Sequence, residues 1–484
     1  MKLHLFITVW SLMISVAVAA QDTLRLSLGK VVETAKANSI AAKQAVTLRE
    51  TKYWEWRTFK SNYQPQLALS GVLPGYTKTY AQVLQPNGTI LFQPIHNDNS
   101  SLTLDFTQSI AATGGTIYGT TELQRFSDFD RDNVLYNGTP YGIGYTQPLL
   151  QFNRLKWDKK IEPLKFNESK QAYIESQEQI AIQVTTYFFD LLLAQVNLDI
   201  AETNFKNTSK ILGIANVKFD LGKVSKNEIL QLQLERLNAQ KAAGTAKRDV
   251  EIATLNLRSY AGIESEEKIV LDMPAAVAQF NVSTILVLEQ AMENRSDAIA
   301  FLRRIAEAQR DVAKAKGENG LIATLNANLG FSNAGNNILD VYRSPKSQQS
   351  VQVQLSIPLL DWGRSKSRTK TALANEQFTR YEVEQDKQVF KQQILTQVTL
   401  FDMMKEQMEL TTLAERIASE KYQIASERYV LGNLSITDLS IAFQENDRAK
   451  RDYISALRDF WGAYYQLRYL SLYDFEKNEK ITYN

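Results

Sequence analysis

The sequence predicts a mainly α-helical chain with a β-barrel part, organised as two tandem strand–helix–turn–helix repeats. Three observations carry this. One register of self-similarity, 210 residues, holds between the two halves of the chain. Two stretches of about 66 residues, one in each half, carry apolar residues at heptad-like spacing. Segments of apolar–polar alternation precede each of those stretches.

Taken in order, the chain opens with Lys2 and an apolar run from Leu5 to Val18, closed by Ala17-Val18-Ala19-Ala20. This is the pattern of a cleaved export signal over residues 1–20. A retained anchor helix is the alternative; the shortness of the run and the absence of stop-transfer charges weigh against it. A helix is expected over about 26–62, then strands up to Pro148. The first long helix follows over 154–220, with Pro163 near its start, and a second helix over 226–260. The first repeat is read as 21–281. The second, 282–484, runs through a helix at 283–318, strands up to Pro358, and helices at 364–430 and 436–470.

The repeat is carried by matched residues. Tyr145-Thr-Gln-Pro-Leu-Leu-Gln-Phe-Asn-Arg154 resembles Leu355-Ser-Ile-Pro-Leu-Leu-Asp-Trp-Gly-Arg364. Phe219-Asp-Leu-Gly-Lys-Val-Ser225 resembles Tyr429-Val-Leu-Gly-Asn-Leu-Ser435 at the same offset. The seam positions Tyr173, Ile180, Val184, Leu191 and Ala194 recur as Val383, Phe390, Ile394, Phe401 and Met404. A helix of 66 residues would run roughly 100 Å, a length suited to a coiled-coil rod or tube and not to a compact domain. At its far end, Gly222 and Gly432 suit the left-handed position that stops a helix. Ser225 and Ser435 suit the next N-cap, with Glu228 and Asp438 three residues on as capping-box partners.

The strand segments alternate with period two. In Val351-Gln-Val-Gln-Leu-Ser-Ile357 and Leu325-Asn-Ala-Asn-Leu-Gly-Phe331 the apolar residues share one face. Leu67/Leu69/Leu73, Leu102/Leu104/Phe106 and Tyr141/Ile143/Tyr145 do the same. Lipid on one side and water on the other explains this, as would one face of a soluble sandwich. Four core strands cannot close a barrel, and open edges are forbidden in lipid. A trimer would supply twelve strands and twelve helical columns. Repeat one carries about 48 residues more than repeat two in its strand region, around Thr113-Gly114-Gly115. They fit an added hairpin or a long external loop. Pro148 and Pro358 mark strand-to-helix junctions, with Phe152 and Trp362 just beyond, where interfacial aromatics are expected. Arg154, Lys156, Lys159 and Lys160, then Arg364, Lys366, Arg368 and Lys370, fit a lipid-headgroup collar or a solvated helix start.

Composition removes other classes. There is no cysteine, hence no disulfide, thiolate metal site or lipid-accepting cysteine. His4 and His96 are the only histidines, and His4 lies within the signal, so no His-based triad or His/Cys cluster is available. No catalytic residue, metal site or cofactor is expected. A net charge of +2 gives no basic face for nucleic acid. No mature apolar run reaches the ~18 residues of a spanning helix. A periplasmic coiled-coil scaffold without catalysis is the alternative to a membrane duct.

These residues resemble the TolC-like outer membrane efflux protein family. Ile357-Pro-Leu-Leu-Asp-Trp-Gly-Arg364 and Tyr429-Val-Leu-Gly-Asn-Leu-Ser-Ile-Thr-Asp-Leu439 carry the likeness, with Tyr145-Thr-Gln-Pro-Leu-Leu150 as the first-repeat counterpart. The resemblance implies a homotrimer with a twelve-stranded outer-membrane barrel and a long periplasmic α-helical tunnel. It implies docking through a periplasmic adaptor to an inner-membrane transporter, with adaptor contact at the tip turns Gly222, Ser225, Gly432 and Ser435. The family's gating tyrosine aligns with Tyr429. Its gating arginine position holds Leu434. Of its two constriction aspartates one aligns with Asp438, while the other position holds Ile441; Glu228 is the matching acid of repeat one. Each acid also fits a plain capping role in the first helical turn.

Overall fold

The computed structural model describes residues 23–222, 224–274, 282–431 and 433–483. The expected signal, 1–20, lies outside them, as does Gly432. The chain runs β1 (Thr23–Leu26), α1 (Leu28–Asn38), α2 (Ile40–Ser61), β2 (Gln66–Val72), β3 (Tyr76–Leu84), β4 (Ile90–Ile110), β5 (Gly115–Asp128) and β6 (Asn133–Leu149). Next come α3 (Arg154–Asp220), α4 (Lys226–Ala261), β7 (Lys268–Leu271), α5 (Thr284–Asn294) and α6 (Ser296–Glu318). The remainder is β8 (Ile322–Gly335), α7 (Ile338–Tyr342), β9 (Lys346–Ser356), α8 (Arg364–Val430), α9 (Ile436–Ser471), β10 (Tyr473–Asp474) and β11 (Glu479–Lys480).

The long helices α3 and α8 are each 67 residues and start 210 positions apart. Helices α4 and α9, each 36 residues, keep the same spacing. At about 1.5 Å per residue, each long helix spans roughly 100 Å. Asn153 caps the start of α3, its Oδ1 accepting the Lys156 N–H at 3.0 Å. The two shorter expected helices are each interrupted once, which corrects the continuous spans 26–62 and 283–318. Ser39, fully buried, ends α1 and caps α2 by accepting the Ala42 N–H at 3.0 Å. Arg295, in extended backbone, separates α5 from α6.

The chain divides into two compact units, and each takes segments from both halves of the sequence. The first comprises the described residues up to Ala45, Glu175–Val287 and those from Thr396 on. In it β1 and β7 pair in parallel. Its core draws Val31 and Ala35 from α1, Val184, Phe188, Phe189 and Leu191 from α3, Leu257 from α4, and Leu457 and Leu467 from α9. Phe401 and Phe460 join α8 to α9 with ring centroids 5.2 Å apart. The seam residues Val184, Leu191, Ala194 and Phe401 are all buried there, as the heptad pattern requires.

The second unit comprises Val46–Ile174 and Leu288–Leu395. It holds helix segments and the large sheet. Trp56 stacks on Phe166 at 5.1 Å, and Arg303 bonds Glu168 at 2.5 Å, fixing α2 and α6 against the first turns of α3. The sheet follows the order β2-β4-β5-β6-β8-β9, with β3 pairing the outer half of β4. Every pairing in it is antiparallel. The sheet thus has six strands along its hydrogen-bonded path, which corrects the four core strands expected of the chain. The extra residues around Thr113 fold as strand: β4 turns at Ala111–Gly114, Gly114 taking φ +78, and returns as β5. Paired in the sheet, this backbone takes its hydrogen bonds from neighbouring strands, where a free loop would take them from water.

Candidate pore mouth and membrane belt

Register turns the period-2 segments into faces, because residues opposite each other in antiparallel strands point to the same side. One row of the sheet reads Leu67, Phe106, Gly119, Ile143, Leu329 across β2, β4, β5, β6 and β8. Another reads Ile117, Tyr145, Ala327, Val351 across β5, β6, β8 and β9. The alternate rows are polar: Gln66, Thr107, Tyr118, Gly144, Asn328, Ser350, and Thr116, Thr146, Asn326, Gln352. Thr146 and Asn326 are joined by a 3.0 Å hydrogen bond. The apolar face is bare: Leu67 and Leu69 are 69 % exposed and Val351 77 %. Large aliphatic residues exposed in ordered rows over six strands make a belt suited to hydrocarbon.

At the helix-side rim Pro148 lies within β6 opposite Thr324, while Pro358 falls beyond β9. Gln151 donates to the Ala323 carbonyl (2.8 Å) and Thr324 Oγ1 (3.0 Å), holding the β6–α3 junction to β8. Trp362 is 91 % exposed, with φ +54, and Leu359 is 93 % exposed. Asp361 caps α8, accepting the Ser365 N–H at 2.9 Å. Arg154 is exposed and bonds Asp158, one helical turn on, at 3.1 Å. Arg364 lines a groove with Arg304, Glu307 and Glu376. The rim thus places apolar and basic side chains together in solvent.

The turns that join α3 to α4 and α8 to α9 lie in the other unit. Gly222 takes φ +72, the left-handed geometry expected of it. Ser225 caps α4 with a complete box: the Glu228 N–H donates to Ser225 Oγ (3.3 Å) and the Ser225 N–H to Glu228 Oε2 (2.8 Å). Ser435 caps α9, accepting the Asp438 N–H at 3.2 Å. The shorter Asp438 carboxylate instead accepts from the Ser435 hydroxyl at 2.7 Å. Both acids are exposed. Tyr429 is half-buried and packs, with Tyr422, Leu434 and Ile211, on Ala425, Leu439 and Ala442. Burial raises its phenol above the ordinary tyrosine range. Leu434, at the position where the resemblance expects arginine, is thus a member of this apolar cluster. Ile211 brings the first hairpin to the second there; Lys218 Nζ lies 6.0 Å from the Tyr429 ring centroid, and Asn207 donates to the Tyr422 hydroxyl at 3.3 Å.

Sequence reasoning missed a buried charge cluster in the same unit. Glu178 of α3 is fully buried and meets Lys36 at 2.7 Å, Arg468 at 3.0 Å and the Tyr483 hydroxyl at 2.5 Å. Arg468 also pairs with Asp474. Burial acts to raise the Glu178 carboxyl, but Lys36 and Arg468 outweigh it and hold it down at about 2. Burial lowers the Lys36 ammonium below the ordinary lysine range, against the pull of Glu178. The cluster fastens the C-terminal segment to α1, α3 and α9. Its partners are 142 to 305 positions apart, so no local spacing announces it. Among the described residues there is no group of three or more His, Cys, Asp or Glu placed to hold a metal ion. No described helix is long and apolar enough to cross a membrane.

The chain is similar in fold to several outer-membrane channels. The Campylobacter jejuni CmeC outer membrane channel superposes with a TM-score of 0.65 at 15 % identity, over 94 % of this chain and 87 % of that one. The outer-membrane channel OprN gives 0.66 at 15 %, over 92 % and 89 %. The outer membrane protein VceC of Vibrio cholerae gives 0.62 at 14 %, over 92 % and 95 %. No functionally curated protein matches the chain. The model of the family described as outer membrane efflux protein matches residues 109–263 and 287–471, which together take in most of the sheet and all four long hairpin helices. The chain belongs to the outer membrane efflux protein family: it is a transport protein of the outer membrane and not an enzyme.

Proposed function

We propose that the chain is the exit duct of a tripartite efflux or type I secretion system. In this reading it is a homotrimer that passively conducts small molecules or polypeptides from an inner-membrane transporter to the exterior. The transporter is reached through a periplasmic adaptor, which contacts the tip turns at Gly222, Ser225, Gly432 and Ser435. Its two repeats, 21–281 and 282–484, each supply strands to a barrel in lipid and a long hairpin to a periplasmic tunnel. The observation that carries the reading is the exposed apolar face to which all six strands contribute, on a sheet whose outer edges are left open. Lipid tolerates no open edge, so such a sheet needs further copies. The rim residues Pro148, Pro358, Trp362, Arg154 and Arg364 then lie at the headgroup level.

The pore mouth is assigned to Tyr429, Asp438 and Glu228. Tyr429 and Leu434 hold the second hairpin to the first by apolar contact, in place of an arginine-centred network. Three copies of the two exposed acids line the opening and favour cations. Purified protein placed in planar bilayers tests this. A trimer-sized particle with a low-conductance closed state is expected, and Tyr429→Ala should raise the open fraction at least several-fold. A monomer that stays soluble without detergent and passes no current would sink the reading.

A further inference from the structure

From the sheet topology we infer that the β4–β5 hairpin crosses the membrane, so that three copies close an eighteen-stranded barrel in place of the twelve strands the family resemblance implies. The inference rests on the duct reading above and adds the composition of its barrel.

Four observations carry it. First, the β4–β5 turn sits at the helix-side rim. Asn153, which caps α3, donates to the Ala111 carbonyl at 2.9 Å, and Gln147 donates to the Thr113 carbonyl at 2.9 Å. Gln108 reaches the Tyr63 carbonyl beyond α2 at 3.1 Å. Second, the β5–β6 turn sits at the opposite end, where the Phe129 N–H donates to the His96 carbonyl at 2.9 Å and Asp130 meets His96 at 3.4 Å. A strand between those ends traverses the whole belt. β5 has 14 residues, above the ~9–11 that a tilted strand needs to cross hydrocarbon. Third, the hairpin continues the belt: Leu102, Leu104, Phe106 and Ile117 are exposed on the apolar side, while Thr103, Asp105, Thr107 and Thr120 occupy the other. An external loop has no reason to keep this register.

Fourth, the open edges suit each other. β2 leaves the rim and β9 returns to it, so β9 of one copy meets β2 of the next antiparallel. The β6–β8 pair inside the chain is a template for that joint. β6 maps onto β9 at the 210-residue offset, and β8 maps onto β2 at 256, the spacing that also relates α5 to α1 and α6 to α2. The pair Gln147–Leu325 then becomes Ile357 of one copy against Leu69 of the next. With strands ~4.8 Å apart and tilted ~40°, twelve strands enclose a backbone diameter of ~24 Å and eighteen ~36 Å. A lumen of that girth admits bulkier cargo at the membrane stage.

The cysteine-free chain makes the test direct. Ala112→Cys marks the β4–β5 turn and Arg131→Cys the β5–β6 turn, both exposed. Intact cells are treated with a polyethylene-glycol maleimide too large for the lumen, before and after outer-membrane permeabilisation. Arg131→Cys should label from outside, and Ala112→Cys only after permeabilisation. Labelling of Ala112→Cys from outside, to the extent of Arg131→Cys, would overturn the proposal. The double variant Leu69→Cys/Ile357→Cys should form dimers and trimers linked by disulfide on oxidation, and neither single variant should. Absence of interchain links in a detergent particle of trimer size also overturns it. A particle of monomer size would instead strike the duct reading itself.

Discussion

Glu178→Gln isolates the charge at the centre of the buried cluster. The amide keeps the shape of the carboxylate but leaves Lys36 and Arg468 in the core without the anion between them, Asp474 still pairing with Arg468. Breaking a buried pair by neutralising one member costs about 3–5 kcal/mol. The carboxyl gives a second route to the figure. Its value of about 2 in the fold, against 4.5 unperturbed, corresponds to about 3 kcal/mol of linkage. Because the folded value is depressed, this stabilisation is complete above about pH 4.5 and is lost as pH falls through about 2. The segment most exposed to the loss is the C-terminal one, which reaches Glu178 through the Tyr483 hydroxyl. Amide hydrogen exchange of residues 473–483 is the assay. At pH 7 the variant should exchange about a hundredfold faster than the wild type, since about 1.4 kcal/mol is a factor of ten. Between pH 4.5 and 2.5 the wild type should approach the variant after correction for intrinsic rates. Equal exchange of the two proteins at pH 7 would refute the reasoning and make the cluster energetically idle.

Other outcomes follow from the same geometry. Ile143→Arg puts a cation on the apolar belt at about 2–4 kcal/mol per copy and should abolish trimers in the outer-membrane fraction, whereas Thr103→Arg on the polar face should not. Gly222→Ala should lower stability to thermal melting by about 1–2 kcal/mol, entirely through the left-handed backbone, since no atom lies within 4 Å of the added carbon. Gly29→Ala, also with free space but inside α1 at ordinary helical φ, should raise it by about 0.5–1 kcal/mol. Glu228→Gln keeps the capping box, because glutamine serves at that position, and removes the charge. Cation preference in bilayer recordings should fall with melting unchanged; the reverse pattern would leave Glu228 as a helix cap alone.

Much of the helical part was legible because its signals are local. Heptad spacing gives the buried seam, and the Gly222 and Ser225 punctuation gives helix ends within a residue of those observed. The breaks at Ser39 and Arg295 were not legible. Neither position holds the glycine or proline that usually interrupts a helix, and a Ser N-cap is also an acceptable helical residue. In the sheet, Leu102, Leu104 and Phe106 already showed alternation. Alternation says that a segment is a strand, but not which strand it pairs with or whether it crosses the membrane. Leu434 likewise read as a missing arginine. Only its packing beside Tyr429, Leu439 and Ala442 assigns it a place.

The sequence by itself showed matched segments 210 residues apart, and it determined the local periods, 3.5 for the hairpin helices and 2 for the strands. These are properties of neighbours along the chain, fixed by side-chain direction and backbone propensity. The tertiary structure alone decided what distant segments do to one another. It made six strands out of an expected four, by pairing β4 and β5 into the sheet. It turned Leu67, Phe106, Ile143 and Leu329 into one row, and it gathered Lys36, Glu178, Arg468 and Tyr483 into one buried network. Which strands pair, and which distant charges meet in the core, is decided by contacts between segments, and no period in the sequence encodes it.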